Sequence, residues 1–234
     1  MTTLQIVLLF LFIFLLLIIS ILAIILFIGY LKFMRVSKVD KKEYYEELNN
    51  EIDKDSIVFL GDSLTEFYRL EEFFRGYNIY NRGIAGDTTD GVLDRLQTNV
   101  IKMDPSKVFL QIGTNDLNEK KMEKENIITN IELILTTLRD NLPKTKLYLI
   151  SLYPVNLKVL LCSPMLVGKR RNSTIKEIND ELKEFAKNND IPFIDIYPHL
   201  LDEDENLKKE YTVEGLHISL EGYKVITNIL KQYV

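Results

Sequence analysis

Residues 57–65 read Ile-Val-Phe-Leu-Gly-Asp-Ser-Leu-Thr, and this stretch decides the fold. It opens with a short apolar run, and Gly61-Asp62-Ser63 follows without a break. A short apolar run bounded by a turn residue is typical of a fully buried strand. A helical pattern starts at Thr65, so the stretch predicts a strand, a tight turn and a helix. A serine in that turn would hold its hydroxyl at the edge of the sheet, near the positive end of the helix.

The chain beyond this stretch repeats the alternation of strands and helices. Further strands are predicted at 78–80, 108–112, 146–151 and 192–196. Helices are predicted at 65–74, 89–100, 122–141, 173–188 and 220–233. Strands that alternate with helices indicate βαβ units and a parallel sheet covered on both faces. In such a sheet the functional residues lie in loops at the carboxyl ends of the strands.

Two further strand-end loops carry groups that can donate hydrogen bonds to a developing anion. Gly86 follows the second strand and can present an unhindered backbone N–H. Asn115 stands in the Gly113-Thr114-Asn115-Asp116 turn after the third strand, and its side-chain amide can donate to an oxyanion. Each motif alone, like Gly-Asp-Ser alone, also fits an ordinary turn with a helix cap.

The loop before the last helix carries a base and an acid, His217 and Glu214. A serine hydroxyl is a poor nucleophile unless a base takes its proton, and a histidine can do this. A carboxylate three residues earlier can hold the other ring nitrogen. A lone histidine is more often a packed or surface residue. Together, however, the four loops supply a nucleophile, two oxyanion donors, a base and its acid.

These residues resemble the SGNH (GDSL-type) hydrolase family over nearly all of residues 56–234. The matching blocks, in order, are Gly61-Asp62-Ser63-Leu64, Gly86, Gly113-x-Asn115-Asp116 and the His217 loop. The resemblance implies an α/β fold, a flavodoxin-like three-layer α/β/α sandwich with a central parallel sheet. It implies a serine ester hydrolase that uses neither a metal nor an organic cofactor. Family members act on lipid esters, acyl thioesters and acetylated sugars, so the fold does not select among these substrates.

The resemblance also implies a role for each site residue. Ser63 is the nucleophile and His217 the base, while the Ser63 N–H, the Gly86 N–H and the Asn115 side chain form the oxyanion hole. The family has aspartate three residues before the histidine, whereas this chain has Glu214. Glutamate is one methylene longer and carries the same charge, so we expect it to orient His217. The alternative is that Glu214 is an exposed loop carboxylate.

The N-terminal segment is apolar on all sides. Of the 234 residues 47% are hydrophobic, and the mean hydropathy is 0.00, but Ile6–Ile28 is a run broken only by Ser20. At about 1.5 Å per residue it would span roughly 34 Å, enough to cross a bilayer. It is too long for a usual signal peptide, and no Lys or Arg precedes it. The chain is thus predicted to have a transmembrane anchor at 1–31, a juxtamembrane connector at 32–55 and a hydrolase domain at 56–234.

The charges that follow the anchor predict its orientation. They are Lys32, Arg35, Lys38, Lys41 and Lys42, and only the α-amino group precedes the run. The positive-inside rule therefore places the C-terminal domain of this single-pass protein in the cytoplasm. The connector is charged and helical over 40–52. This favours a solvated spacer packed loosely on the domain over the alternative of a partner-binding helix.

Composition excludes several other classes of site. The single cysteine, Cys162, excludes an internal disulfide and any CxxC motif, and two histidines make a multi-His metal site improbable. A net charge of −5 argues against nucleic-acid binding. No G-x-S-x-G elbow, HExxH, Walker A or GxGxxG motif is present.

Residues 155–172 form a long connection that is apolar and then basic, ending in Lys169-Arg170-Arg171. Its apolar part would line an acyl pocket or touch lipid, with the basic residues near headgroup phosphates. The alternative is a buried connector followed by a solvated charge run. Cys162 lies in the apolar stretch, so we expect it to be inert.

We therefore expect a membrane-anchored hydrolase whose partners are the membrane and a small-molecule ester, with lipids among the candidates. The alternative is a non-catalytic, membrane-tethered binding module that retains the fold. The altered acid at Glu214 favours this alternative weakly, and the presence of Ser63, Asn115 and His217 argues against it.

Overall fold

The computed structural model describes residues 2–53, 55–119 and 123–234. The chain divides into two compact units, Met1–Glu43 and Tyr44–Val234. Helix α1 (Thr3–Leu48) runs through the first unit, and its last residues belong to the second. Within α1, Thr3–Tyr30 has a mean hydropathy of 3.5 and none of its residues is buried. It is long and apolar enough to cross a membrane, a property that a signal sequence shares.

The second unit contains a five-stranded parallel sheet in the order β2-β1-β3-β4-β5. The strands are β1 (Ile57–Gly61), β2 (Ile79–Gly83), β3 (Lys107–Gln111), β4 (Lys146–Ile150) and β5 (Phe193–Ile194). The order reverses beside β1, so its carboxyl end opens into the crevice where such sheets place their sites.

Helices cover both faces of the sheet. They are α2 (Ser63–Glu66), α3 (Leu70–Phe73), α4 (Thr89–Asn99), α5 (Lys124–Asn141), α6 (Ser163–Val167), α7 (Asn172–Asn188) and α8 (Leu220–Leu230). Apolar side chains of α4, α5 and α7 form one core with the sheet, and those of α2, α3 and α8 form the other. The predicted three-layer α/β/α fold is confirmed.

Side chains of β1 alternate between the two cores, as a strand with a period of two requires. Val58 belongs to the α4–α5–α7 core and Phe59 to the opposite one. Phe59 stacks on Phe109 of β3 with ring centroids 4.6 Å apart, and Phe109 stacks on Tyr148 of β4 at 4.5 Å. These in-register rings stabilise the packing of the three central strands β1, β3 and β4.

The predicted helix at 65–74 is wrong in one respect, because it is divided into α2 and α3. Between them Tyr68 turns inward and is buried. The Asn81 amide donates to the carbonyl oxygens of Thr65, at 2.8 Å, and Tyr68, at 3.1 Å. The side chain thus satisfies backbone groups that a continuous helix would pair internally. The predicted start of another helix, Met122, lies outside the described residues, and α5 is seen from Lys124.

The last part of the predicted connector contacts β2. Tyr45 Oη donates to the Gly83 carbonyl at 3.0 Å, and Arg82 Nη2 donates to Asn49 Oδ1 at 3.2 Å. The Arg82 guanidinium lies 4.7 Å from the centre of the Tyr45 ring. These specific bonds make residues 44–53 part of the compact unit, in contrast to the loosely packed spacer that was expected.

Candidate active site

Ser63 lies two residues after the end of β1 and is the first residue of α2. Asp62 caps this helix, and its Oδ1 accepts the Leu64 N–H at 2.9 Å. The one-turn helix therefore starts where the chain leaves the sheet, because the cap satisfies a backbone donor that has no partner inside the helix. Only 6% of the Ser63 surface is exposed, so its hydroxyl lies in a largely desolvated position.

A hydrogen-bonded chain links Ser63 to the loop before α8. Ser63 Oγ is 3.1 Å from His217 Nε2, and His217 Nδ1 is 2.5 Å from Glu214 Oε1. With the proton on Nδ1 donated to Glu214, Nε2 carries the lone pair and accepts the serine proton. Glu214 is buried and also accepts the His217 backbone N–H at 3.1 Å. The longer side chain reaches histidine, and the alternative of an exposed carboxylate is wrong.

Backbone geometry explains how one short loop brings the two groups together. Gly215 has φ +103°, and a Cβ there would lie 1.9 Å from the Asn156 carbonyl oxygen, so glycine is required. The Thr212 hydroxyl accepts the Gly215 N–H at 2.9 Å and donates to the His217 carbonyl at 2.7 Å. These bonds turn the chain back on itself between Glu214 and His217.

Two other strand-end loops meet beside Ser63. Asn115 Nδ2 donates to the Asp87 carbonyl at 2.9 Å and lies 3.4 Å from Asp62 Oδ2. Gly86, the residue before Asp87, has φ +74°, a conformation that favours glycine. The structure thus places the predicted oxyanion residues in loops that contact each other and the residue next to the serine.

Most of the sheet and all of the candidate site residues fall within one family profile. The profile of the GDSL-like lipase/acylhydrolase family matches residues 59–225. The chain belongs to this family. The resemblance inferred from the motifs is confirmed, and membership supports an esterase or acylhydrolase function for this GDSL-like hydrolase.

Individual relatives agree with the family assignment. A solved Streptococcus pneumonia structure, provisionally described as a platelet activating factor, has a TM-score of 0.80 and 32% identity. The match covers 86% of this chain and 94% of that one. The rat platelet-activating factor acetylhydrolase IB subunit alpha2 is 25% identical over 184 residues, which are 76% of this chain and 75% of the relative.

A third relative is a longer protein that is named for a different activity. The N-acylneuraminate cytidylyltransferase of Streptococcus agalactiae serotype V is 30% identical over 209 residues. These residues are 89% of this chain and 45% of that protein. The GDSL-like chain therefore spans less than half the length of this relative.

Arg170 is a site residue that the sequence did not reveal. Only 3% of its surface is exposed, so it belongs neither to a solvated charge run nor to a headgroup contact. Its Nη2 donates to Asn115 Oδ1 at 2.8 Å, and its Nε donates to the Thr114 carbonyl at 2.6 Å. The only signal in the sequence was its place in a basic cluster, which does not distinguish it from Lys169 and Arg171.

Buried charge surrounds the serine of this GDSL-like hydrolase. Arg95 Nε donates to Asp87 Oδ2 at 2.8 Å, and Arg95 Nη2 donates to the Gly61 carbonyl at 3.0 Å. The pKa of Asp62 is raised to about 7, because burial outweighs the Leu64 N–H and the positive charge of Arg170, which both lower it. Among the residues the structure describes, no group of three or more His, Cys, Asp or Glu side chains is placed to hold a metal.

An apolar groove of about 420 Å³ borders His217. Its lining includes the apolar side chains of Phe67, Phe73, Val213 and Leu220, and also Arg69. The Phe67 ring centre is 5.4 Å from that of His217, and Val213 and Leu220 are exposed. The groove is thus open to solvent and adjoins His217.

The connection at 155–172 begins next to the loop that carries His217. The Asn156 N–H donates to the Gly215 carbonyl at 2.8 Å, so the segment borders the histidine loop. Leu161 and Met165 are exposed, and the alternative of a buried connector is therefore wrong for this part. Cys162 is exposed as well.

Proposed function

We propose that the chain is a serine ester hydrolase that works through an acyl-enzyme on Ser63. The observation that carries this proposal is the hydrogen-bonded chain from Ser63 Oγ through His217 to Glu214. A nucleophile within hydrogen-bond reach of a base, which a third group orients, is the arrangement that activates a serine hydroxyl. Membership of the family supports the hydrolysis of esters. The acyl-enzyme on Ser63 is the part that we propose from the geometry.

In the first half-reaction Ser63 Oγ attacks the ester carbonyl carbon while His217 Nε2 takes the hydroxyl proton. The carbonyl oxygen becomes an oxyanion, and the Ser63 N–H, the Gly86 N–H and Asn115 Nδ2 stabilise it. The carbon–oxygen bond to the alcohol breaks, and His217 gives its proton to the departing oxygen. Glu214 stabilises the transient imidazolium.

In the second half-reaction water replaces the alcohol. His217 Nε2 takes a proton from the water, whose oxygen attacks the acyl carbon. The ester bond to Ser63 breaks, and the proton passes from His217 back to Oγ. The products are one carboxylic acid and one alcohol, and the residues return to their starting state.

For the substrate we propose a small ester with an apolar group, with lipid esters as the leading class. The apolar groove beside His217 supports this, because an apolar substituent would be removed from water there. Leu161 and Met165 add exposed apolar surface to the segment whose Asn156 borders the histidine loop. The name of the acetylhydrolase relative fits a small acyl group. We do not extend cytidylyl transfer to this chain, which covers 45% of that relative.

We further propose that Thr3–Tyr30 anchors the hydrolase in a membrane with the domain on the cytoplasmic side. Its length and apolar composition support the anchor. The basic residues that follow it support the orientation. The test fuses to the C-terminus a reporter enzyme that is active only outside the cytoplasm. We expect this reporter to be inactive, and an active reporter would contradict the cytoplasmic orientation.

Hydrolysis is tested with the full chain in detergent micelles and p-nitrophenyl acetate, butyrate and octanoate. We expect release of p-nitrophenolate above the rate of micelles alone, because the activated leaving group requires only the serine, the base and the oxyanion donors. A chain that hydrolyses none of the three esters would contradict the proposal and favour the membrane-tethered binding module.

A further inference from the structure

The Asn115 amide acts only if it is turned the right way. Its two ends differ, since Nδ2 donates hydrogen bonds and Oδ1 accepts them. Rotation by half a turn would present an oxygen to the oxyanion and replace attraction by repulsion. In this structure Nδ2 faces Asp62 and the Asp87 carbonyl, which accepts one of its two hydrogens. These two acceptors hold the amide from its nitrogen end, and a donor that binds Oδ1 holds the same orientation from its oxygen end.

Arg170 supplies that donor. Its Nη2 is 2.8 Å from Asn115 Oδ1, and a guanidinium nitrogen is always a donor, so only the amide oxygen can face it. The Nε donates to the neighbouring Thr114 carbonyl at 2.6 Å, which fixes the plane of the guanidinium against the same turn. Arg170 thus holds both the backbone and the side chain of the Gly113–Asp116 turn.

The other side of the guanidinium is tied to its own segment. Nη1 donates to the Val167 carbonyl at 3.0 Å and to the Leu166 carbonyl at 3.3 Å. A buried cation is costly unless hydrogen bonds and opposite charge compensate it, and Asp62 and Asp116 supply negative charge nearby. These groups compensate the buried charge of Arg170 at the point where its guanidinium contacts the Gly113–Asp116 turn.

We propose that Arg170 is a positioning residue that fixes the Asn115 amide with Nδ2 directed toward the oxyanion. The proposal rests on the proposed ester hydrolysis. It predicts that loss of Arg170 weakens stabilisation of the transition state more than binding of the ester. It also predicts that this loss acts through Asn115.

The test is a double-mutant cycle in the full chain, with kcat and KM measured on p-nitrophenyl acetate. Arg170→Gln should lower kcat about 10- to 100-fold, because removal of one oxyanion donor costs about 10²–10³-fold and the amide is released rather than deleted. KM should change less than about threefold. In the Asn115→Ala background, Arg170→Gln should lower kcat by less than about threefold, since no amide remains to be positioned.

Lys169→Gln is the matched control, since it removes the same charge from an exposed neighbour. It should leave kcat within about twofold of wild type. If thermal denaturation shows that Arg170→Gln is unfolded, Arg170→Lys replaces it and keeps the buried charge. Lysine lacks the planar fork, so the same non-additive loss is expected on a smaller scale.

Equal losses of kcat in the wild-type and Asn115→Ala backgrounds would overturn the positioning role and leave Arg170 a structural residue. Wild-type kcat in a folded Arg170→Gln variant would overturn it as well. Failure of the proposed function looks different, because then the wild-type chain and the Lys169→Gln control hydrolyse no ester.

Discussion

Ser63→Ala is expected to lower kcat/KM for p-nitrophenyl acetate by at least about four orders of magnitude. Removing the hydroxyl removes the nucleophile, and hydrolysis then relies on direct attack by water beside the oxyanion donors. The substitution removes one oxygen and adds no atom at a side chain that is 6% exposed. It therefore creates no steric clash, and the fold should persist. Steady-state turnover of the full chain in micelles measures the loss.

Ser173→Ala is the matched control, because Ser173 is exposed on α7. It should retain wild-type turnover. His217→Ala should cost about as much as Ser63→Ala, and the double variant should lose little more, since nucleophile and base act as one unit. Activity in Ser63→Ala equal to that of wild type would contradict a serine mechanism.

Glu214→Gln is expected to lower kcat about 10³- to 10⁴-fold with little change in KM. The carboxylate accepts the proton on His217 Nδ1, so that Nε2 faces Ser63 as an acceptor. A glutamine amide that turns its N–H₂ toward Nδ1 stabilises the opposite tautomer, in which Nε2 cannot take the serine proton. Steady-state kinetics on p-nitrophenyl acetate separate kcat from KM.

Glu214→Asp provides the comparison, since it keeps the charge and shortens the side chain by one methylene. It should lose less activity than Glu214→Gln. We expect it to remain less active than wild type, because the shorter side chain reaches His217 less well from the same backbone position. If Glu214→Gln and wild type have the same kcat, the carboxylate does not orient the histidine, and the backbone must hold the ring.

The sheet and most of its site could be predicted from local patterns. The apolar runs located the five strands to within a few residues, because buried parallel strands leave a continuous apolar signal. Parallel strands end at one edge, which brings Ser63, Gly86 and Asn115 into neighbouring loops. Their roles, and those of Glu214 and His217, stay predictions that the variants above test.

Long-range hydrogen bonds account for what the sequence could not predict. Arg170 is 55 residues from Asn115 in the chain, and no local rule separates a buried arginine from exposed basic neighbours. At the break between α2 and α3, the Asn81 side chain of β2 binds the free backbone carbonyls. The packing of Tyr45 on β2 likewise requires a partner distant in sequence.

The central claim is that Ser63 carries the acyl group during turnover, and a fluorophosphonate probe tests it most directly. The full chain is labelled in micelles, digested, and its peptides are mapped by mass spectrometry. The account predicts a phosphonyl group on Ser63, less labelling when p-nitrophenyl acetate competes, and none in Ser63→Ala. Ester turnover by a chain whose Ser63 stays unlabelled at saturating probe would contradict it.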